Sequence, residues 1–291
     1  WTTDHGDGLP RGKREIYDSG IKVPLMVHWP TSLKPAGVNS GSTDKKLISF
    51  VDIGPSVLTL AGLPVPDYMH GSGQLVPGAS PKRDYIYAAK DRLDGFNFRE
   101  RAVRDGQFKY IVNLLPGMPG ATHIAYRDQL LSMQTLWQQF TAGKLNAAQR
   151  FWFEPRPAEE LYDIVADPYE INNLIDSADY AATLARMRDA LTDWRSAIAD
   201  YSETAELQMA KEFWPDGEQP VTQAPQISIN KAGKASIVPA AANDSVGYRI
   251  NGGAWKLYSK PLLLPNSATV EAKSVRYGWA ESSVTLFLYK R

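Results

Sequence analysis

The sequence predicts an α/β fold followed by a separate all-β module, on three observations. Strand-like apolar runs alternate with helical patterns through the first two thirds of the chain. Beyond residue 226 the apolar and polar residues alternate with the two-residue period of strands. Between these regions, Pro215–Pro225 is rich in Pro, Gly, Gln and acidic residues, the composition of a linker. The 291 residues suffice for two domains at ~150 residues each. The expected division is 1–215 for the α/β part, with a small antiparallel α+β subdomain over about 100–200, then 216–225 as the linker and 226–291 as a β-sandwich module.

The elements follow in order. Ile21 to Trp29 is a β-rich run closed by Pro30, with Pro24 near its start, where a strand tolerates it. A Gly/Ser/Lys-rich connection, Ala36 to Lys46, comes next and reads as exposed. Asp52, Pro55 and Gly62 mark the start, first turn and end of a short helix carrying Val57, Leu58 and Leu60. Tyr85 to Ala89 is a strand after the turn at Pro81. The runs ending at Arg104 and starting at Phe108 flank Asp105-Gly106 as an antiparallel hairpin. Leu130 to Phe140 and Ala147 to Phe153 read as aromatic-rich helices, and Glu160 to Ile164 as a strand. Leu184, Met187, Leu191, Trp194 and Ile198 recur three and four apart, one face of a helix. In the terminal module Val246–Ile250, Trp255–Tyr258, Thr269–Tyr277 and Ser283–Tyr289 alternate, with turn signals at Asn251-Gly252-Gly253 and Pro265-Asn266.

Composition excludes several function classes. Lys plus Arg and Asp plus Glu both total 32, so the net charge is zero and no global field attracts nucleic acid or an anionic membrane. There is no cysteine, which removes disulfides, zinc-thiolate sites and a thiol nucleophile from these residues. The longest apolar stretch, Phe50 to Val65, is broken by Asp52, Gly54, Pro55, Gly62 and Pro64, so no segment qualifies as a transmembrane helix. The chain starts at Trp1 with no initiator Met, basic region or apolar leader, and a motif-like cluster sits in its first residues; the expectation is a fragment of a longer protein.

Asp4-His5-Gly6 puts a carboxylate beside an imidazole with a glycine behind them for a sharp bend, a donor set for a metal at a strand end and equally a capped surface turn. Gly6 to Lys13 imitates a phosphate loop, but five residues separate Gly6 from Gly12 and Arg14 stands where a hydroxyl residue belongs, so nucleotide binding fails on spacing. Lys90-Asp91-Arg92-Leu93-Asp94 reads as a solvated loop or, through Arg92 and Asp94, as contacts to a sugar or sulfate. His123, Tyr126 and Arg127 are candidates for a substrate rim. His28, His70, Trp137, Trp152 and Phe153 read as structural.

The string Thr3-Asp4-His5-Gly6, Gly12-Lys13, then Tyr17-x-x-Gly20-x-x-x-Pro24 resembles the formylglycine-dependent sulfatases of the alkaline-phosphatase superfamily. The resemblance continues at Val51-Asp52-Ile53-Gly54-Pro55 through Gly62-Leu63 and at Glu160-Leu161-Tyr162-Asp163 through Asp167-Pro168 to Asn173-Leu174, and it covers about Trp1 to Ile198. It implies the carboxyl-terminal part of an alkaline-phosphatase-like sulfatase domain. Asp4 and His5 would be metal ligands and Lys13 the catalytic cation facing the sulfate and the leaving oxygen. It also implies one divalent metal, calcium in the first place, with manganese or zinc as alternatives because one ligand is an imidazole. The nucleophile would be a formylglycine made from a Cys or Ser upstream, because no Cys/Ser-x-Pro/Ala-x-Arg motif occurs here.

The expected activity of the intact protein is hydrolysis of a sulfate ester or sulfamate on a sulfated oligo- or polysaccharide, in the periplasm or outside the cell, with neither nucleic acid nor membrane as partner. The fragment alone is expected to be inactive. The text around Arg92 and from Tyr126 to Glu160 resembles the branch that holds heparan N-sulfatase-like and marine-polysaccharide enzymes. The alternatives are a phosphatase or phosphonate hydrolase of the same superfamily, and a noncatalytic carbohydrate-binding or scaffold protein.

Overall fold

Four strands, three of them buried on both faces along much of their length, build the sheet at the centre of the first unit. These are β1 (Ile86–Leu93), β2 (Phe96–Arg104), β3 (Phe108–Asn113) and β4 (Glu159–Asp163), antiparallel and in that spatial order. The β2–β3 turn falls at Asp105-Gly106, and its register sets Ala102 opposite Ile111 and Val103 opposite Tyr110. The computed structural model describes residues 1–198 and 200–290; Arg291, the expected end of the terminal module, lies outside the described residues. Two compact units divide at Glu203/Thr204.

In the first unit the short α1 (Asp18–Ile21) precedes α2 (Ile53–Leu60), and α3 (Leu131–Thr141), α4 (Ala147–Arg150) and α5 (Ala181–Ala197) follow the first three strands. Leu184, Met187 and Leu191 of α5 pack on Val103, Tyr110 and Leu161, so the helix covers one face of the sheet. Trp194, next on that stripe, stacks on Tyr87 with ring centroids 4.8 Å apart. The opposite face offers Ala102, Ile111 and Tyr162, and there Ile16 and Tyr17 of the N-terminal segment are buried. Met133, Trp152 and Phe153 form a further core with Trp137 and Phe140, the structural role read for these aromatics. Asp52 is wholly buried and caps the turn into α2: its carboxylate accepts the Ser49 and Ser72 backbone N–H groups and the Arg83 guanidinium at 2.9, 3.0 and 2.6 Å.

The run from Ile21 to Trp29 does not form the expected strand. It makes a single bridge, Leu25 with Thr2, supported by a 2.8 Å bond from the Met26 N–H to the Trp1 carbonyl. A strand needs flanking partners for its backbone groups, and here only Trp1–Thr3 lies alongside while Pro24 lacks a donor. Ala147 to Phe153 likewise yields only the four residues of α4, after which the chain turns to bury Trp152 and Phe153. Every pairing between named strands is antiparallel, so the α/β character lies in antiparallel sheets covered by helices.

The second unit opens with α6 (Glu206–Phe213). Two sheets follow: β5 (Gln226–Ile229), β6 (Lys234–Val238) and β9 (Leu262–Leu263) in one, and β11 (Thr285–Lys290), β10 (Ser267–Val275), β7 (Ser245–Ile250) and β8 (Lys256–Leu257) in the other. Ala235 and Ile237 share a core with Val246, Val270 and Ala272. The stretch 216–225, expected to be a linker, packs within this unit instead. Thr222 is buried, with its N–H and hydroxyl both on the Ala280 carbonyl, and Pro220 accepts from the Ala280 N–H. Its proline-rich composition serves an edge segment that docks through a few backbone bonds. Among the described residues no helix is long and apolar enough to cross a membrane.

The sheet face opposite α5 also carries charge. Arg127 approaches Glu15 at 3.6 Å, Glu15 meets Lys90 at 3.1 Å, Lys90 meets Glu100 at 3.4 Å, Glu100 meets Arg156 at 2.5 Å and Arg156 meets Glu160 at 2.9 Å. Three cations thus alternate with three carboxylates, all buried. Glu160 also accepts the Tyr17 and Tyr162 hydroxyls and the Asn113 amide, each at 2.7 Å. Burial acts to raise the Glu160 carboxyl, but Arg156 and these hydrogen bonds override it and hold the group below the usual glutamate range. Glu100 has fewer donors, and burial pushes its carboxyl up.

Removing one member of a buried chain leaves an unpaired charge in the interior. Arg156→Met should therefore cost about 3–5 kcal/mol in urea unfolding, whereas Arg188→Ala, which breaks the half-exposed pair with Glu159, should cost at most ~1 kcal/mol. Asp200 gives a pH-dependent counterpart. Burial raises its carboxyl, but hydrogen bonds from Arg101, Arg195 and Ser202 prevail and depress it far below the ordinary aspartate range. A depressed carboxyl stabilises the fold above the unfolded value of about 3.9 and loses that contribution as pH falls. The stability difference between wild type and Asp200→Asn should accordingly be large at neutral pH and shrink when both are unfolded near pH 3.

Candidate functional site

Asp4, His5 and Lys13 ride on one crossed loop, residues 4–21, pinned to the charged face of the sheet. Its ends are joined by a 2.8 Å bond from the Gly6 N–H to the Gly20 carbonyl, and its middle by a 2.8 Å bond from the Lys13 N–H to the Asp7 carbonyl. Glycine is required where the chain crosses itself. A Cβ on Gly6 would sit 2.0 Å from the Ser19 carbonyl oxygen, and one on Gly20 would sit 2.2 Å from that of Glu15.

Three anchors hold this loop. Glu15 joins the ion chain through Lys90. Tyr17 donates to Glu160. Asp18 meets the buried Lys109 ammonium at 2.6 Å, which also binds Glu170 at 2.8 Å. Burial raises the Asp18 carboxyl and Lys109 reverses the shift, so Asp18 stays below its normal value, while burial prevails at Glu170 and raises it. Arg11 and Arg14 both adopt left-handed backbone, φ 57° and 78°, which costs a residue with a Cβ of order 1 kcal/mol. Their side chains offset it. Arg11 lies 3.8 Å over the Tyr17 ring and donates to the Tyr169 and Glu170 carbonyls.

Arg14 is not on the loop surface, as its place in a basic turn implies. Its side chain is 7% exposed, donates to the Leu93 carbonyl at 3.0 Å and pairs with Asp94 at 3.1 Å. The β1–β2 tip that it grips carries a bulge: Lys90 faces Glu100 and Arg92 faces Asn97, with Arg99 at φ 53° taking the extra residue.

At the outer end of the loop the His5 Nδ1 lies 2.7 Å from the Gly6 carbonyl, which makes that nitrogen a donor and leaves Nε2 as the nitrogen that a metal would take. Nε2 faces the Asp4 carboxylate at 3.3 Å, and the Asp4 side chain is 84% exposed. Two donors at this separation can both reach one cation with bonds of ~2.0–2.6 Å, so the pair fits a shared divalent metal. No group of three or more metal-binding side chains occurs among the described residues, so further ligands would come from elsewhere. Lys13 projects over the Tyr126 ring at 5.5 Å.

The other expected contacts divide. Tyr126 lies beneath Lys13 and is partly exposed, and Arg92 is a half-buried residue of β1. Asp94 is engaged by Arg14. His123 is exposed, stacks on Trp137 at 4.0 Å and pairs with Asp128 at 2.9 Å. Arg127 is corrected from rim to support: it is 1% exposed, lies 4.8 Å over the Trp152 ring and donates to the Thr122 carbonyl at 2.9 Å. Lys90, read within a solvated or sugar-binding run, is buried between Glu15 and Glu100 on β1. The residues missed by sequence reasoning are those of the ion chain, and the signal for them was the adjacent charges inside strand-like runs, Glu100 and Arg101 in β2 and Glu159 and Glu160 in β4.

Comparison with known proteins finds similar sequences and structures. A family model described as "N-sulphoglucosamine sulphohydrolase, C-terminal" matches residues 11–112. An ulvan-active sulfatase of Formosa agariphila is 37% identical over 287 residues, covering 96% of this chain and 47% of that protein. Human N-sulphoglucosamine sulphohydrolase is 27% identical over 214 residues, 67% of this chain and 40% of its own. A solved 2-O GAG sulfatase aligns at a TM-score of 0.48 with 21% identity, covering 70% of this chain and 37% of that one. The chain therefore spans less than half the length of these relatives.

The Arg14 grip sets a testable energy. Arg14→Ala should cost about 1–3 kcal/mol in chemical unfolding, because it leaves the Leu93 carbonyl without its charged donor. Arg14→Gly should be milder by roughly 1 kcal/mol, since glycine adopts this backbone freely.

Proposed function

We propose that the chain is the C-terminal portion of a sulfatase and that the intact protein hydrolyses a sulfate ester or sulfamate on a sulfated oligo- or polysaccharide. The observation that carries this reading is the hydrogen-bonded loop that follows the family's sequence pattern, with the Asp4–His5 pair at one point and Lys13 at another. The names of relatives, an ulvan-active sulfatase and N-sulphoglucosamine sulphohydrolase, support a sulfated saccharide as the substrate class.

In this reading Asp4 and His5 contribute two ligands to a divalent cation. The cation would stabilise negative charge on the sulfuryl oxygens. Lys13 holds its ammonium toward the same oxygens and the leaving oxygen, where charge grows as the S–O bond breaks. Tyr126 fixes the lysine's approach through its ring face. The loop keeps both groups in place through its anchors, so little reorganisation is needed as charge develops. The nucleophile, a formylglycine, would be supplied by sequence outside these 291 residues, which contain no cysteine. Exposed Trp1, Met26, Val57 and Leu60 support a larger catalytic domain around this half. His123, Tyr126, Arg92 and Asp94 remain the candidate substrate contacts, and the periplasm or cell exterior the compartment.

The test is sulfate release by the intact enzyme from an aryl sulfate and from a sulfated polysaccharide. Lys13→Ala should lower turnover by about a hundredfold or more, the scale of removing one preorganised charge. Unchanged turnover in that variant, or faster release of phosphate from an aryl phosphate by the wild type, would overturn the reading.

A further inference from the structure

A second cationic feature lies at the other end of β1. A cleft of about 430 Å³ is lined by Lys45, Lys46, Lys82, Arg83 and Arg186, with Asp84 and Asp105 the only acidic residues on its walls. It opens at Tyr85, just before β1, whereas Arg14 grips Leu93 at the far end. Eight residue steps at ~3.3 Å each put roughly 25 Å between Tyr85 and the Arg14 contact, while the Asp18 end of the loop reaches Arg104, opposite Ile86.

Its cations fall into two sets. Arg83 is braced by buried Asp52 and by the Ser72 hydroxyl, both through the same terminal nitrogen. Arg186 is braced by Asp105 at 2.7 Å and the Tyr85 hydroxyl at 2.8 Å. Lys46 pairs with Asp44 at 3.2 Å. These groups have their charge matched and their positions set. Lys45 and Lys82 are exposed and have no carboxylate within ion-pair distance among the described residues. The cleft therefore combines fixed guanidinium groups, which keep unused N–H donors in a planar fork, with these two ammonium groups set against the one carboxylate of Asp84, a net positive wall in a protein of zero net charge. Concave walls concentrate such a field beyond what the same charges give on a flat surface.

We infer that this cleft is a secondary binding site for sulfate groups of a saccharide polymer, apart from the Asp4–Lys13 loop. The ligand class rests on the substrate reading above; the charge pattern does not. The cleft shares no residue with the loop, so it adds contacts only to a saccharide long enough to touch both. It raises affinity for long substrates and leaves chemistry on short ones untouched.

The experiment uses the 291-residue chain with dextran sulfate, unsulfated dextran and polyglutamate of matched charge, and measures Kd by calorimetry at low salt. Dextran sulfate should bind and dextran should not. The double variant Lys45→Ala/Lys82→Ala should weaken binding at least about fivefold, with the unfolding curve unchanged. An unaltered Kd in the double variant, or polyglutamate binding as tightly as dextran sulfate, would overturn the site. In the intact enzyme the same variant should raise KM for a sulfated polysaccharide and leave aryl sulfate turnover as it was. Dextran sulfate binding that the double variant weakens, in an intact enzyme that releases no sulfate from any saccharide, would sink the catalytic reading and uphold the cleft.

Discussion

The alternating line of buried charges from Arg127 to Glu160 is the constraint on which the first unit depends. An isolated ion in this interior costs several kcal/mol after relaxation, so no member is tolerable without its neighbours. Lys90 lies between Glu15 and Glu100, Arg156 between Glu100 and Glu160, and Glu160 is completed by two tyrosine hydroxyls and an amide. Glu15 and Tyr17 belong to the N-terminal loop, Lys90 and Glu100 to the first hairpin, and Arg156 and Glu160 to the chain entering β4. The network consequently fixes the register of three segments distant in sequence, which an apolar contact of equal area leaves looser.

From this constraint follow the features of the candidate site. The loop can carry left-handed Arg11 and Arg14 because each side chain is held at its far end. Its glycines let it cross itself closely enough for Gly6 to bond to Gly20, which brings Asp4 and His5 to the mouth of the loop while Lys13 extends over Tyr126. Lys109, Asp18 and Glu170 repeat the same design one strand away, with one cation between two carboxylates. Rigidity is useful to an electrostatic catalyst, whose charges must be in place before the transition state forms.

Local periodicity made much of this legible. The three-and-four spacing of Leu184, Met187 and Leu191 gave the face of α5, Asp105-Gly106 gave the β2–β3 turn, and the Asp52 block gave α2. The loop was legible only as a pattern of Asp, His, Gly, Lys and Tyr, since its form depends on which carbonyls cross which glycines. Charge burial was the hidden part. Lys90-Asp91-Arg92-Leu93-Asp94 has the composition of a solvated turn, and nothing within the run announces that Lys90 meets Glu15, 75 positions away. Ile21 to Trp29 failed for a similar reason, because its apolar residues state a preference for extended backbone but do not supply the neighbouring strand.

The central claim is that the ion chain on the sheet holds the Asp4–Lys13 loop in shape. Amide hydrogen exchange in the wild type and in Glu160→Gln tests it directly, because Gly6 and Lys13 donate the bonds that close the loop. The account predicts that the variant loses protection at Gly6 and Lys13, while Val246 and Val270 in the second unit exchange as before. Undiminished protection at Gly6 and Lys13 in a variant whose Glu160 charge is gone would contradict it.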